Sequence, residues 1–367
     1  MKRRRILAIA LSGVLGISML SGCGKQQEPA APAEDGTQTE STSQTEEEKP
    51  AESQGTEKRV LRWSLAAAQD HPFAITAQEA AKEIEEATGI EVQVYTAAQL
   101  AGDADGVDMC RAGSIDILTV GLQTIMQYQE DLQGLLMPFT FDDDYMAERY
   151  HIEYLMPEVL NGELLNTTNM YALAIKNNGQ RELTTKGIEV HSPEDLKGQK
   201  IRSMEQPISI ATIKALGAAP VPVAYSELYM AMQTGVVNGQ DNPIANVLAA
   251  KFYEVQDYLI LTNHQPNMNA DFINLDLWNS LTEEERTKIQ EIMTKYQGIC
   301  NDRIREGNLE TLEELKANGM TVIEDIDLEA FKANADQVIQ EEFGGSEYDS
   351  WRVVRQQALD WCEENKE

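Results

Sequence analysis

Histidine and cysteine are scarce in this sequence, with four residues of each among 367. The histidines are scattered along the chain, and neither residue type forms a pair at metal-site spacing, such as Cys-x-x-Cys or His-Glu-x-x-His. We therefore expect no metal and no cofactor. Three cysteines lie in the body of the chain, and we expect them to be mostly buried and structural, since three thiols cannot all pair with one another. These are Cys110, Cys300 and Cys362.

Positive charge is also in short supply. Lys and Arg total 30 against 61 Asp and Glu, which gives a formal net charge of -31. A chain this acidic is repelled by phosphate backbones, so nucleic acid is not expected as a partner. An anionic ligand would need arginine placed locally. The sequence also lacks a Gly-x-Ser-x-Gly motif and a glycine-rich phosphate loop, so nothing in it indicates an enzyme.

No apolar run after the first 22 residues is long enough to span a membrane. Residues 1–5 hold one Lys and three Arg, and residues 6–22 are uncharged, which is the pattern of a secretory signal peptide. The apolar run ends in Leu-Ser-Gly-Cys, which resembles a bacterial lipobox with Cys23 as the lipidated residue. An ordinary signal peptide with an incidental cysteine is the alternative. We expect removal of residues 1–22 and an extracytoplasmic protein, lipid-anchored to the outer face of the cell membrane or periplasmic.

A polar segment follows the predicted lipidation site. Residues 24–57 contain no aromatic and no branched aliphatic side chain. Such a segment cannot bury enough apolar surface to offset the entropy lost on ordering. We therefore expect residues 23–57 to be a lipidated cysteine and a disordered tether, and residues 58–367 to be the folded body.

Along the predicted folded body, the spacing of apolar residues alternates between that of strands and that of helices. Short apolar segments at residues 60–65, 90–94 and 115–120 are typical of strands, and the segment at 73–88 has helical spacing. Strands separated by helices indicate parallel β-α-β units and an α/β fold, in which ligands bind at the carboxyl ends of the strands. A long amphipathic segment at 281–318 predicts a helix that could pack across two domains.

Four residues near predicted strand ends are candidates for ligand binding. Arg202 ends a short strand candidate, and a guanidinium can bind a carboxylate through two parallel hydrogen bonds, although a surface pair with Glu205 is an alternative. Arg181 follows a strand at 170–175 and is either a second cation or a loop charge. Asn242 could contact a ligand or cap a helix that begins at the next residue. Tyr225 could close over a ligand or belong to the core.

Six blocks of the sequence, in this order and spacing, resemble the solute-binding proteins of TRAP (tripartite ATP-independent periplasmic) transporters. They are residues 195–202 (DLKGQKIR), 216–222 (LGAAPVP), 225–229 (YSELY), 233–243 (QTGVVNGQDNP), 251–256 (KFYEVQ) and 262–264 (TNH). The chain departs from the family at Asn238 and Asp241, where Asp and Glu are usual, and residues 96–103 lack the usual proline.

The resemblance implies a two-domain, periplasmic-binding-protein-like clamshell that holds an organic acid in its cleft and delivers it to TRAP membrane permease subunits. It implies that Arg202 pairs with the ligand carboxylate, that Asn242 and Arg181 assist, and that Tyr225 and Asp103 are also ligand-binding residues. We place domain I at residues 58–179 and 268–307, and domain II at 180–267 and 308–367. A monomer is expected.

Two other functions use the same residues. A receptor that presents its ligand to a sensor or chemotaxis protein would have the same cleft. A secreted hydrolase or lyase acting on acidic sugars is disfavoured because no catalytic motif is found. The rest of the ligand stays open, since a dicarboxylate, a sugar acid, a sialic acid, an aromatic acid or an amino acid would each satisfy Arg202.

Overall fold

A computed structural model describes residues 59–141 and 143–366. The predicted signal peptide, the predicted lipidation site Cys23 and the predicted tether lie outside the described residues. No helix within the described ranges is both long and apolar enough to cross a bilayer.

The strands of the described ranges join one mixed sheet. They are β1 (Val60–Leu65), β2 (Glu91–Tyr95), β3 (Ile117–Gly121), β4 (Met170–Thr185), β5 (Lys200–Ser203), β6 (Ala219–Pro222), β7 (Gly239–Pro243), β8 (Tyr258–Asn274) and β9 (Thr321–Ile323). Their order is β2-β1-β3-β8-β4-β7-β5-β6, with β9 beside β8. The two outer sets, β2-β1-β3 and β7-β5-β6, are parallel, as expected from the alternating pattern. The pairs that join them are antiparallel.

Helices cover the sheet and connect its strands. They are α1 (Pro72–Thr88), α2 (Asp103–Arg111), α3 (Leu122–Ile125), α4 (Asp144–Tyr150), α5 (Leu165–Thr168), α6 (Pro207–Ala215), α7 (Leu228–Gln233), α8 (Ile244–Ala249), α9 (Leu275–Ser280), α10 (Glu283–Ala317), α11 (Leu328–Phe343) and α12 (Asp349–Glu364). A π-helix, in which hydrogen bonds join residues five positions apart, follows α4 directly and spans His151–Glu163.

The two central strands, β4 and β8, are 16 and 17 residues long. One half of β8 lies beside β3 and the other half beside β9. The first half of β4 pairs with the part of β8 that lies beside β3, and its second half also pairs with β7, so both strands run through the two parallel sets. The predicted strand at 170–175 is confirmed as the first part of β4, but the strand continues to Thr185, and β8 is not among the predicted strands. The second half of β4 is polar yet buried, and a polar run favours a loop when hydrophobic period is the only guide.

The long helix is confirmed as α10, which has 35 residues. It begins after a capping box, in which Thr282 and Glu285 each bond the backbone N–H of the other. Ile289 and Met293 are buried with residues of β1 and α1, whereas Leu315 is buried with residues of α7 and α8. The helix therefore packs against both halves of the sheet, and the predicted α/β class is confirmed.

The domain boundaries stay a prediction. The predicted crossings at 179/180 and 267/268 fall where the register between β4 and β8 is irregular, between Asn177 and Gln180. Helix α12 buries Trp351 and Cys362 in the same cluster as Ile175 of predicted domain I. The predicted assignment of 308–367 to domain II does not anticipate this contact.

The three cysteines of the folded body are buried and unpaired with one another, as expected. Burial raises the pKa of the Cys110 thiol to about 12, with a smaller effect from the charge of Asp116. A thiol with a raised pKa is a poor nucleophile at neutral pH, which fits a structural role.

Candidate functional site

A cavity lies between the two parallel strand sets, and its space is about 530 Å³ including the part open to solvent. All five predicted ligand-binding residues line it: Asp103, Arg181, Arg202, Tyr225 and Asn242. They come from five separate elements, since Asp103 begins α2, Arg181 lies in β4, Arg202 in β5, Asn242 in β7 and Tyr225 begins a short 3-10 turn.

Arg202 is a buried cation without an acidic partner. It is 3 % exposed, and its Nε donates to the carbonyl oxygen of Val223 at 2.8 Å. It forms no ion pair with any carboxylate of the described ranges, so the surface pair with Glu205 is wrong. Burial lowers the pKa of the guanidinium to about 10, and the charges of Asp241 and Asp103 only partly offset this.

Arg181 is equally buried but has a partner. Its Nε lies 2.5 Å from Oδ2 of Asp241, and its Nη2 donates to the backbone oxygen of the same residue. His264 Nε2 lies 3.3 Å from the same Oδ2. Burial alone would raise the pKa of Asp241, but the charge of Arg181 and the hydrogen bonds from His264 and Arg181 hold that pKa below its usual value. Arg181 is thus a paired strand residue rather than a loop charge.

Asp103 is a half-buried carboxylate at the cavity wall. Burial raises its pKa, and the charge of Arg202 opposes this effect. No hydrogen bond to its carboxylate comes from the described part of the protein. Asp103 and Arg202 are therefore two opposite charges at one cavity, and neither forms an ion pair within the described ranges.

Asn242 does not cap a helix, because it lies in β7 and α8 begins only at Ile244. Its Nδ2 donates to Oε1 of Gln240 at 2.5 Å, and the residue is buried. The capping interpretation is wrong, and the amide is a wall residue of the cavity.

Several other polar residues of the cavity are absent from the sequence-based prediction: His71, Thr119, Gln123, Asn178, Asn246, Asn267 and Asn269. The Oδ1 atoms of Asn178 and Asn269 are buried and accept no hydrogen bond from the described residues. They are available to accept hydrogen bonds from a ligand. The asparagines of β8 could not be found because that strand was not predicted. His71 does carry a weak signal, since it directly precedes a proline at the start of α1.

A hydrogen-bonded chain links three of these side chains. His71 Nδ1 accepts from the backbone N–H of Phe73 at 3.0 Å, and His71 Nε2 lies 3.2 Å from Oδ1 of Asn246. Asn246 Nδ2 donates to the hydroxyl of Tyr225 at 3.2 Å. Burial lowers the pKa of His71 to about 4 and raises that of Tyr225 to about 12, so both are neutral at pH 7.

Metal chemistry finds no support in the described ranges, which contain no group of three or more His, Cys, Asp or Glu side chains placed to hold a metal ion.

Comparisons with known proteins agree with this architecture. The family model described as bacterial extracellular solute-binding protein, family 7, matches residues 63–345. The sialic acid-binding periplasmic protein SiaP of Vibrio cholerae is 29% identical over 255 residues, which cover 69% of this chain and 78% of the relative. The C4-dicarboxylate-binding protein DctB of Bacillus subtilis is 27% identical over 268 residues, covering 71% and 74%.

A solved structure extends the similarity to the whole folded body. A TRAP periplasmic solute-binding protein from Roseobacter denitrificans, with bound L-galactonate, superimposes with a TM-score of 0.71 at 25% identity. The match covers 82% of this chain and 98% of that one. With the family match spanning most of the folded body, the chain belongs to family 7 of the bacterial extracellular solute-binding proteins, the solute-binding proteins of TRAP transporters.

Proposed function

We propose that this protein captures a small organic acid in its cavity through a pair between Arg202 and the ligand carboxylate, and delivers it to a TRAP membrane carrier. The observation that carries the proposal is the burial of Arg202 without an acidic partner. A buried charge is tolerated when it is paired and hydrogen-bonded, and the terminal nitrogens of Arg202 have no such protein partner in the described ranges. A ligand carboxylate supplies both the charge and the two acceptor oxygens.

The charges of the cavity favour a ligand with one carboxylate. Asp241 already neutralises Arg181, which leaves Arg202 as the cation available to an acid. A second carboxylate on the ligand would meet Asp103, a like charge at the same cavity, and would be left without a cation.

The remaining polar groups favour hydroxyl substituents. Asp103 can accept hydrogen bonds, and so can the unpaired Oδ1 atoms of Asn178 and Asn269. Hydroxyl groups donate to such acceptors, whereas a second carboxylate cannot. The relatives differ in ligand: the V. cholerae protein is named for sialic acid and the R. denitrificans structure holds L-galactonate, both hydroxylated monocarboxylates, whereas the B. subtilis protein is named for C4-dicarboxylates. The charge pattern of this cavity fits the first class.

A thermal-shift screen tests the ligand class. L-galactonate, D-glucuronate and sialic acid represent hydroxylated monocarboxylates, succinate represents dicarboxylates, and galactose is the uncharged control. A ligand at 100 times its Kd adds about 2.7 kcal/mol to the stability of the folded state. We expect the largest rise in Tm from a hydroxylated monocarboxylate and none from galactose. Stabilisation by galactose alone would contradict the carboxylate pair.

Calorimetric titration of variants with the acid found in the screen tests Arg202 itself. Arg202→Lys keeps the charge but loses the planar fork, so at least one charged hydrogen bond is lost or poorly aligned. Such a bond is worth about 1.5 to 3 kcal/mol, which corresponds to roughly 10- to 150-fold weaker binding. Arg181→Lys is the matched control and should lose less, because Asp241 can still hold a cation there. Binding by Arg202→Lys within about threefold of the parent would mean that the bidentate pair does not form.

The proposal includes the location of the protein. Cys23 follows small residues at the end of an apolar run, which supports a lipid anchor on its side chain. An anchor at the N-terminus would keep the binding protein next to the permease that receives its ligand.

A further inference from the structure

The hydrogen-bonded chain from His71 to Tyr225 crosses the cavity between separate elements. His71 precedes α1 on the side of β1, whereas Asn246 lies in α8 and Tyr225 in the turn before α7. The chain therefore links the two sides that the sequence assigns to domains I and II. None of its bonds involves an ionised group, because His71 and Tyr225 are both neutral at pH 7.

Only one assignment of donors and acceptors is consistent along these hydrogen bonds. A backbone N–H always donates, so the bond from Phe73 N–H requires that His71 Nδ1 carries no proton. A neutral imidazole without a proton at Nδ1 carries it at Nε2, which therefore donates to Asn246. The atom of Asn246 that faces His71 must be the oxygen, so its amide nitrogen faces Tyr225.

A second contact fixes the same orientation of the Asn246 amide. Asn178 Nδ2 donates to Asn246 Oδ1 at 2.6 Å, so this oxygen accepts from both Asn178 and His71. The Tyr225 hydroxyl oxygen then accepts from Asn246 Nδ2, and its own proton must be donated elsewhere. No group of the described ranges accepts that proton, and Tyr225 lines the cavity.

We propose that His71, Asn246 and Tyr225 form a relay of fixed direction that aims the Tyr225 hydroxyl proton at the ligand, so that Tyr225 is a hydrogen-bond donor to an oxygen of the bound acid. His71 is a positioning residue, because it acts through Asn246 and does not need to touch the ligand. This inference rests on the proposed function for its ligand, whereas the direction of the relay belongs to the free protein. It assigns Tyr225 a role beyond aromatic packing, and it adds two residues, His71 and Asn246, to the set that determines specificity.

The direction of the relay is tested without any ligand, by NMR of the imidazole nitrogens in ¹⁵N-histidine-labelled protein at pH 7. The signals of His71 are assigned by their loss in His71→Asn. We expect a neutral ring with the proton on Nε2. A proton on Nδ1, or a doubly protonated ring, overturns the relay.

The role in binding is tested by a double-mutant cycle with L-galactonate, D-glucuronate and sialic acid as probes. His71→Asn keeps a side-chain oxygen that can cap α1 at the position of Nδ1 but removes the Nε2 donor. Tyr225→Phe removes only the hydroxyl. One neutral hydrogen bond corresponds to about 2- to 12-fold in Kd, and we expect Tyr225→Phe to weaken binding by this factor. His71→Asn should weaken binding by a smaller factor in the parent and by less than about twofold in the Tyr225→Phe background.

Equal losses from His71→Asn in both backgrounds would show that His71 does not act through Tyr225, and would overturn the positioning role. His191→Asn, at an exposed histidine outside the cavity, is the control and should leave the Kd unchanged. If none of the probes binds the parent, the proposed function fails for this ligand class, and the imidazole measurement still decides the direction of the relay.

Discussion

Replacing each of the two cavity arginines by methionine should change the stability of the ligand-free protein in opposite directions. Arg202 and Arg181 are both almost fully buried and both line the cavity. They differ in one respect: Arg181 has Asp241 as a partner, whereas Arg202 has only the carbonyl of Val223. Methionine keeps most of the apolar stem in either position, so the comparison isolates the charge.

The magnitude for Arg202 follows from its burial. Lowering the pKa of the guanidinium from 12.5 to about 10 corresponds to roughly 3 kcal/mol of unfavourable free energy for the charged form. Arg202→Met removes this penalty, but it also removes the hydrogen bond to Val223, which is worth about 0.5 to 1.5 kcal/mol. We expect the ligand-free variant to be more stable than the parent by roughly 1.5 to 2.5 kcal/mol, and to lose binding of the acid.

Arg181→Met has the opposite expected effect. It leaves the carboxylate of Asp241 buried without its cation, and removal of one partner of a buried ion pair destabilises by about 3 to 5 kcal/mol. Burial lowers the pKa of His264, which opposes a positive charge on this neighbour of Asp241. We expect this variant to unfold at a markedly lower temperature than the parent.

Urea unfolding followed by circular dichroism measures both variants, with ligand-free protein that has been dialysed extensively. The urea concentration at the midpoint shows whether each variant is more or less stable than the parent. An unchanged dependence of the unfolding free energy on urea shows that the variants expose the same surface on unfolding. A loss of 2 kcal/mol or more in Arg202→Met would refute the reasoning, because it would mean that Arg202 supports the fold. Equal losses in the two variants would refute it as well.

Four further variants test other parts of the molecule. Cys23→Ser should release the protein from membranes into the soluble fraction, and retention on membranes would contradict lipidation. Burial raises the pKa of Glu182 from 4.5 to about 8, so the fold loses stability as the pH rises between these two values and Glu182→Gln should raise Tm more at pH 9 than at pH 6. Gly134→Ala would place a methyl group 2.1 Å from the backbone oxygen of Trp351 and should lower stability by about 1 to 3 kcal/mol. Gly298→Ala, in open space within α10, should instead raise it by about 0.5 to 1 kcal/mol, and the two melts are compared directly.

The outer parts of the fold were predictable because they follow simple periods. The strands β1, β2 and β3 are short and β1 and β3 bury apolar side chains, and α1 and α10 have one apolar face each. Their lengths and order follow from hydrophobic spacing and from the glycine and capping residues at their ends. These signals were sufficient to predict the α/β class and the long helix α10, which packs on both halves of the sheet.

The second part of β4 and the whole of β8 were missed for a physical reason. Both pass through the cavity region, where the side chains are polar and satisfied by one another: Asn177, Asn178 and Arg181 of β4 are buried yet hydrogen-bonded. Prediction from hydrophobic spacing assumes that buried residues are apolar, so a buried polar strand is interpreted as a loop. The same exception applies to β7, whose residues 240–242 are polar and buried.

The candidate site was predicted only where one residue carries a distinctive chemistry. Arg202 stands out as a cation in an acidic chain. Arg181, Asn242 and Tyr225 were ambiguous candidates near strand ends, and the resemblance favoured their ligand-binding interpretation and added Asp103. Asparagine and histidine are ambiguous in sequence because they also occur as caps and in turns. The position of Asn246 opposite His71 depends on the arrangement of α8 and α1 in space, and the two residues are 175 positions apart.

An acidic protein can bind an anion because the charges that matter are those inside the cavity. The chain carries a formal charge of -31, but surface charges more than about 8 Å from a ligand are largely screened at physiological ionic strength. Arg202 acts at contact distance and in a buried environment, where screening is weak and an ion pair is stronger than at the surface. Asp103 acts under the same conditions with the opposite sign. In the proposed function, the distant charges therefore affect the rate at which an acid approaches, whereas Arg202 and Asp103 together favour a bound acid with one carboxylate.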